Sequence, residues 1–174
     1  EYGIRIFQDL KECLKKYNHE ILGEPTCQIT MAEGGIAPNM TPDMAEFMLD
    51  IRVIPGITTL MVSEWTQEII DKYKAETDGQ LKAEVHIKND RQAIEIDSTN
   101  PWLKKLQWEL ELKGLPKERT GINYFTDASI LAKGIPNTPV LLFGPGQPEM
   151  AHKPNEYVEI EKYLQYITVL SRLF

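Results

Sequence analysis

The sequence predicts a mixed α/β protein in two regions, and two observations lead to that prediction. Over residues 1–90 the hydrophobic pattern alternates between the periods of helices and strands, in the order helix, strand, strand, helix, strand. Further along, an apolar strand at Val140–Phe143 runs into the turn Gly144–Gly146, the kind of strand end at which open α/β sheets place their binding sites. We expect residues 1–97 and 98–174 to be separate domains.

Composition excludes several classes of protein. The chain has 174 residues, 42% of them hydrophobic and 26% charged, which is ordinary for a globular protein. A net charge of −7 argues against a nucleic-acid partner, because there is no surplus of basic residues to neutralise phosphates. No apolar run approaches the roughly 20 residues of a membrane span, and no signal-peptide pattern opens the chain. Cys13 and Cys27 lack metal or redox spacing, so we expect reduced, packed thiols in a cytoplasmic protein.

The first region begins with a helix and a strand pair. Residues 4–17 repeat apolar side chains at three- and four-residue spacings, which predicts an amphipathic helix. Thr26–Met31 and Ala45–Ile54 alternate as strands, and the loop between them is rich in Gly and Pro. The apolar face of the second strand carries Phe47, Leu49, Ile51 and Val53.

A second helix and a third strand complete this region. Thr58–Lys74 predicts a helix, Asp78-Gly79 a turn, and Leu81–Ile87 an alternating strand. One further strand ahead of residue 1 would complete a βαββαβ unit, the ferredoxin-like arrangement. The helix is expected to be buried through Leu60, Met61, Trp65, Ile69 and Tyr73.

The second region follows a polar connector at Asp90–Asn100. Pro101 suits the first turn of a helix that continues to about Lys113, and a short helix is expected at about Asp127–Lys133. A closing helix runs from about Ile160 to Phe174. Its predicted core stripe consists of Ile160, Tyr163, Leu164, Ile167, Leu170 and Phe174.

Several polar residues have both a functional and a structural interpretation. His152, six residues past Gly146, is the candidate metal ligand among three histidines, or a loop histidine that only caps its surroundings. Asp127 either caps the short helix or lines a pocket. Asn155 and Glu156 are expected to cap the last helix, with a bond to His152 as the alternative.

Two residues of the first region carry the same ambiguity. Arg52 follows Asp50 by two residues and could form a surface ion pair, but Arg also suits planar, bidentate recognition of a carboxylate. Asn39, after two glycines, could either adopt the left-handed conformation of a turn or contact a ligand.

Taken together, these stretches resemble a known family. Gly34–Asp43 (GGIAPNMTPD), followed by a strand that ends in Leu49–Arg52, resembles the lid-domain signature of the dinuclear-metal amidohydrolases and exopeptidases. That family includes acetylornithine deacetylase, succinyl-diaminopimelate desuccinylase, aminoacylase and carboxypeptidase G. Thr126–Ala128, Gly144–Gly146 and Ala151–Glu156 resemble its carboxyl-terminal catalytic signature. The opening residues, EYGIR, resemble the start of the first lid helix.

The resemblance implies a fold and a reaction. Members have an α/β zinc-exopeptidase-like catalytic domain, interrupted by a lid domain that also forms the homodimer. Two divalent metal ions, zinc or cobalt, activate the water that hydrolyses the amide bond of N-acyl amino acids or small peptides. Residues 1–97 would be the ferredoxin-like lid without its first strand, and residues 98–174 the carboxyl-terminal part of the catalytic domain.

The resemblance also implies roles for individual residues. His152 matches a metal ligand, whereas Asn39 and Arg52 match residues that hold the substrate's carboxylate or acyl oxygens, Asn39 often from across the dimer. Gly144–Gly146 matches a turn that lines the substrate pocket, and Asp127, in the stretch Thr126–Ala128 of the same signature, is also assigned to substrate binding. Arg91 is a poor match for a further substrate-binding arginine.

The family's other metal ligands, its general base and its lid histidine all precede Glu1, and neither His19 nor His86 has the right context. We therefore expect the carboxyl-terminal part of a larger enzyme, inactive by itself. The alternative is a non-catalytic dimerisation or ligand-binding module that associates through helices or a sheet edge.

Overall fold

The computed structural model describes residues 1–135 and 137–174, which form five α-helices, one 3₁₀ turn and two strands. These residues divide into two compact units, Glu1–Ala93 and Ile94–Phe174. The division falls shortly before the boundary predicted between residues 97 and 98. That the units are a lid and a catalytic segment stays a prediction.

The first unit is an antiparallel hairpin packed with two helices. Its elements are α1 (Tyr2–Leu14), β1 (Thr26–Gly34), β2 (Ala45–Arg52) and α2 (Thr59–Glu76). Helix α2 begins after Thr58, whose side chain accepts a hydrogen bond from the backbone N–H of Met61 and so caps the first turn.

Apolar side chains of both helices and of β1 form the core of this unit. Leu10 and Leu14 of α1 are almost completely shielded from solvent, and Cys27 of β1 belongs to the same buried cluster. Asp9 joins the helices at the surface, because its carboxylate accepts hydrogen bonds from Lys72 Nζ and Tyr73 Oη, each at 3.1 Å. In α2 the buried side chains are Val62, Thr66, Ile69, Ile70 and Tyr73, whereas Leu60, predicted to be buried, is exposed.

The hairpin has one buried face and one exposed end. The register runs from Thr26 opposite Arg52 to Gly34 opposite Ala45, with a bulge between Ile29 and Met31. Leu49 and Ile51 pack against the core, as the alternation predicts, so Asp50 and Arg52 lie on the other face. Large apolar residues near the far end are exposed, among them Met31, Ile36, Met40 and Met44.

The predicted third strand, Leu81–Ile87, does not form within the described residues. Alternation provides a face to bury, but a strand also needs a neighbour to satisfy its backbone N–H and C=O groups. The sheet of the described chain contains only β1 and β2. The ferredoxin-like arrangement is therefore not confirmed, although the mixed α/β class is.

The second unit is built on a helix pair. Its elements are α3 (Pro101–Leu112), α4 (Ala128–Gly134), the 3₁₀ turn Pro148–Met150 and α5 (Ile160–Leu173). The start of α3 lies beside the end of α5, where Lys105 Nζ donates a hydrogen bond to the carbonyl oxygen of Leu173 at 2.5 Å. The buried residues between the two helices are Leu106, Leu110, Val169 and Leu173.

Two predictions for this unit are wrong. Val140–Phe143 is neither a strand nor buried throughout, since Leu141 and Leu142 are exposed and it is Phe143 that packs on the helix pair. Helix α5 buries Val169 and Leu173 instead of the predicted stripe. Leu170 is the one residue of that stripe that packs on the core. Helix α5 has apolar residues on two faces, and α3 covers only one of them. The stripe residues left exposed are Ile160, Tyr163, Leu164, Ile167 and Phe174.

No helix in the described part of the chain is long and apolar enough to cross a bilayer.

Candidate functional site

His152 lies in a series of tight turns that follows the 3₁₀ turn. The backbone N–H of Lys153 donates to the carbonyl of Met150, and the N–H of Glu156 donates to the carbonyl of Lys153. The N–H of His152 itself donates to the carboxylate of Glu156 at 3.3 Å. His152 has φ of 62°, a left-handed conformation in which His and Asn are enriched among non-glycine residues. Its side chain is exposed.

The number of potential ligands in this chain determines whether it can bind a metal ion by itself. A catalytic zinc ion typically takes about three protein ligands and one open position. Among the described residues no group of three or more His, Cys, Asp or Glu side chains could hold a metal ion. The described residues therefore supply one candidate imidazole and do not by themselves fit a metal centre.

Asp127 precedes α4 without capping it. Its side chain makes no capping hydrogen bond, and its φ of −63° and ψ of −14° are helical rather than the extended values typical of an N-cap. The carboxylate is exposed. The capping interpretation is thus wrong, and the pocket-lining role stays a prediction.

Asn155 and Glu156 do not cap α5 either. The residue at the N-cap is Glu159, whose side chain makes no capping bond. Asn155 adopts the left-handed conformation, with φ of 61°. Glu156 does contact His152, but through the backbone N–H of His152. It shapes the loop that presents the imidazole.

Gly144 and Gly146 have no local structural reason to be glycine. Left-handed glycines occur elsewhere in the described chain, at positions such as Gly35 and Gly114, but not at these two. A Cβ placed on either residue would meet no atom within 4 Å. Both face open space, as the rim of a pocket would require, although no ligand contact tests that role.

Arg52 ends β2 on the face that points away from the core. Its Nη2 lies 3.2 Å from Oδ2 of Asp50, and each of the two side chains is 37% exposed. The ion pair between Asp50 and Arg52, which is the structural interpretation of this arginine, therefore forms.

Asn39 lies exposed in the loop between β1 and β2. The left-handed residue of this loop is Gly35, with φ of 85°, so the left-handed interpretation of Asn39 is wrong. Asn39 and Arg52 lie at opposite ends of the hairpin, since β2 alone extends for about 23 Å at the usual rise per residue. Within one chain the structure does not bring these two residues together.

The other histidines have local roles. His19 Nδ1 accepts hydrogen bonds from the backbone N–H groups of Ile21 and Leu22, both at 3.2 Å, and so stabilises a turn. His86 is exposed, with Nε2 3.5 Å from a carboxylate oxygen of Glu84.

The two cysteines are free thiols, as the sequence predicts. Burial raises the pKa of Cys27 to about 11. Since a thiol reacts as its thiolate, Cys27 is suited to packing rather than to nucleophilic catalysis.

Comparison with known proteins agrees with the resemblance in the motifs. The family described as peptidase family M20/M25/M40 matches residues 6–174. An acetylornithine deacetylase of Edwardsiella ictaluri is 29% identical over 149 residues, which are 86% of this chain and 37% of that protein. An acetylornithine deacetylase of Proteus mirabilis is 27% identical over 154 residues, 87% of this chain and 38% of that protein.

A further relative carries a different name. A probable succinyl-diaminopimelate desuccinylase of Staphylococcus aureus is 25% identical over 150 residues, 84% of this chain and 35% of that protein. The chain thus covers well under half the length of each of these three relatives. The match to the family nevertheless extends over nearly the whole chain, and the predicted resemblance is confirmed. The chain belongs to peptidase family M20/M25/M40, a family of hydrolases.

Proposed function

We propose that this chain is the carboxyl-terminal part of a metal-dependent amidohydrolase that cleaves the amide bond of an N-acyl amino acid or a small peptide. The observation that carries the proposal is the family match over residues 6–174. The names of the relatives, acetylornithine deacetylase and succinyl-diaminopimelate desuccinylase, support an acyl group joined to an amino acid. We therefore propose the substrate class and leave the acyl group open.

In this proposal Arg52 binds a carboxylate of the substrate. Its guanidinium ends a strand, is partly exposed and lies on the face away from the core. A guanidinium presents five N–H donors in a planar fork that matches a carboxylate. These properties suit recognition of an amino acid better than a purely structural role.

Asn39 acts in a partner subunit's site. The separation of Asn39 and Arg52 along the hairpin supports this assignment, because the two residues do not meet within one chain. The exposed apolar residues near the hairpin loop are compatible with a subunit contact. We propose a homodimer through residues 1–97.

His152 is one ligand to a pair of divalent metal ions, zinc or cobalt, whose other ligands lie outside this chain. Its support is the exposed imidazole on a loop of defined shape. When bound, the metals supply an activated water. Asp127 and the two glycines of the turn Gly144–Gly146 line the pocket.

The full-length protein that contains this chain tests the proposal. We expect it to hydrolyse N-acetyl- or N-succinyl-amino acids, to lose that activity on dialysis against a chelator, and to regain it with zinc or cobalt. The 174-residue chain alone, given the same metals, should show no turnover. Full-length protein that cleaves neither substrate class, or that is indifferent to chelation, contradicts the proposal.

A second candidate is a non-catalytic dimerisation or ligand-binding module. It is favoured by one observation, that the described residues contain no three-residue group able to hold a metal. Equilibrium sedimentation of the chain, together with calorimetric titration of acetyl- and succinyl-amino acids, distinguishes the two candidates. Dimerisation or ligand binding in a full-length protein without hydrolase activity favours the module.

A further inference from the structure

The loop that carries His152 changes its hydrogen-bonding pattern at that residue. The backbone N–H groups of Met150, Ala151, Lys153 and Glu156 each donate to the carbonyl oxygen three residues earlier. His152 departs from this series, because its N–H donates forward along the chain, to the carboxylate of Glu156 at 3.3 Å. A side chain thus takes the place of a backbone acceptor at the residue that is the candidate metal ligand.

The backbone of His152 needs a contact of this kind. Ala151, with ψ of 130°, leaves the 3₁₀ turn, and His152 then adopts the left-handed conformation with φ of 62°. That conformation is unfavourable for a residue other than glycine, because Cβ comes close to the following carbonyl oxygen. Such a residue keeps it only where the surrounding structure holds it there.

Glu156 is placed to hold His152 without occupying its side chain. The N–H of Glu156 donates to the carbonyl oxygen of Lys153 at 3.2 Å, so the backbone of Glu156 is tied to the residue next to His152. Its carboxylate then closes the loop with a charge-assisted hydrogen bond from the N–H of His152. Neither bond uses an imidazole nitrogen, and the imidazole is exposed.

We propose that Glu156 is a positioning residue whose carboxylate holds the backbone of His152 in the left-handed conformation and so fixes the point from which the imidazole projects. The consequence for metal binding rests on the proposed function, in which His152 is a ligand. The effect on the loop does not, because the hydrogen bond and the conformation belong to the chain without metal.

Nuclear magnetic resonance on the 174-residue chain tests the effect on the loop. At positive φ the HN and Hα protons of a residue lie close together, so their nuclear Overhauser effect is strong. In Glu156→Ala this signal of His152 should weaken, and its N–H should exchange with solvent about fivefold faster. Glu149→Ala, which removes an exposed carboxylate from the preceding turn, is the control and should leave both unchanged. An unchanged signal in Glu156→Ala overturns the proposal.

Two further variants separate the hydrogen bond from the charge. Glu156→Gln keeps an acceptor oxygen at the same reach and should match wild type in both measurements. Glu156→Asp keeps the charge but is one methylene shorter, so it should resemble Glu156→Ala. Rescue by aspartate and not by glutamine overturns the proposal. If Glu156→Ala disturbs the second unit as a whole, which urea denaturation detects, the glutamine and aspartate variants decide the question.

Zinc binding by the full-length protein tests the consequence for the site. Glu156→Ala should raise the Kd for zinc about tenfold, as the loss of a group that orients a metal ligand typically does, and Glu156→Gln should change it by less than about twofold. If His152→Ala lowers zinc occupancy but Glu156→Ala binds zinc like wild type, positioning is overturned. If His152→Ala keeps full occupancy, the proposed ligand role fails, and the resonance data alone decide whether Glu156 holds the loop.

Discussion

Gly3 and Phe47 approach so closely that there is no room for a side chain between helix α1 and strand β2. A Cβ built on Gly3 would fall 2.3 Å from Cε2 of the Phe47 ring. The opening residues resemble the start of a lid helix, but the sequence provides no reason for the glycine. The reason is the ring of a residue more than forty positions later.

Substituting Gly3 with alanine should therefore destabilise the first unit. Gly3 lies in the first turn of α1, so the preference of a helix for alanine over glycine is worth at most about 1 kcal/mol there, whereas the overlap with Phe47 forces a shift that typically costs about 1–3 kcal/mol. We expect a net loss of about 1 kcal/mol in the free energy of unfolding, measured by urea denaturation. Gly134→Ala is the control, since a Cβ there meets no atom within 4 Å. Equal or greater stability for Gly3→Ala would show that the ring moves aside freely.

The contacts of Asp9 should make stability depend on pH in the acid range. The hydrogen bond from Lys72 is the main cause that lowers the pKa of Asp9 below its ordinary value. The folded pKa therefore lies below the unfolded value, so the stabilisation is present above about pH 4 and is lost as the pH falls through the folded pKa. Asp9→Asn should be less stable than wild type at pH 6 and nearer to it at about pH 3.

The control for Asp9 is Asp71→Asn, because Asp71 pairs with Lys74 within its own helix rather than joining two helices. Urea denaturation at both pH values measures each variant against wild type. A stability difference for Asp9→Asn that stays constant between the two pH values contradicts the linkage.

Cys27 should resist alkylation in the folded protein. With its pKa raised to about 11 by burial, only about one thiol in a thousand is ionised at pH 8. Iodoacetamide followed by mass spectrometry should label Cys13, which is partly exposed, well before Cys27. Both should react at similar rates in 6 M guanidinium, which serves as the control for intrinsic reactivity. Rapid labelling of Cys27 in the native state contradicts the buried assignment.

His152→Ala tests the proposed metal ligand in the full-length protein. We expect both the metal content, measured by elemental analysis, and the hydrolase activity to fall together, since one ligand of about three is removed. Glu149→Gln, an exposed acidic residue in the preceding turn, should keep wild-type metal content. Full metal occupancy in His152→Ala would remove His152 from the ligand assignment.

Several elements could be predicted because their signals are local. Pro101 predicts the start of α3, and the structure adds the cap, because the Asn100 side chain accepts a hydrogen bond from the N–H of Trp102. The alternation of Asp50 and Ile51 likewise assigns opposite faces of β2. Caps and periodicities of this kind lie within a few residues, where neighbours in sequence are neighbours in space.

The candidate site was found through motifs rather than through periodicity. The stretches around Asn39, Arg52 and His152 led to a family resemblance that the family match confirms. The roles of the individual residues stay predictions. The structure contributes the geometry: Nη2 of Arg52 lies 3.2 Å from Oδ2 of Asp50, and the carboxylate of Glu156 accepts a hydrogen bond from the backbone N–H of His152.

The amino-acid sequence alone was sufficient to predict the mixed α/β class, the two strands of the hairpin, the helices and the family. Tertiary structure decided which apolar face of α5 is buried, whether Val140–Phe143 pairs as a strand, and why residue 3 is glycine. The physical reason is the distance over which each interaction acts. A helix forms its hydrogen bonds with residues four positions away, whereas a buried face or a strand needs a partner from a distant part of the chain.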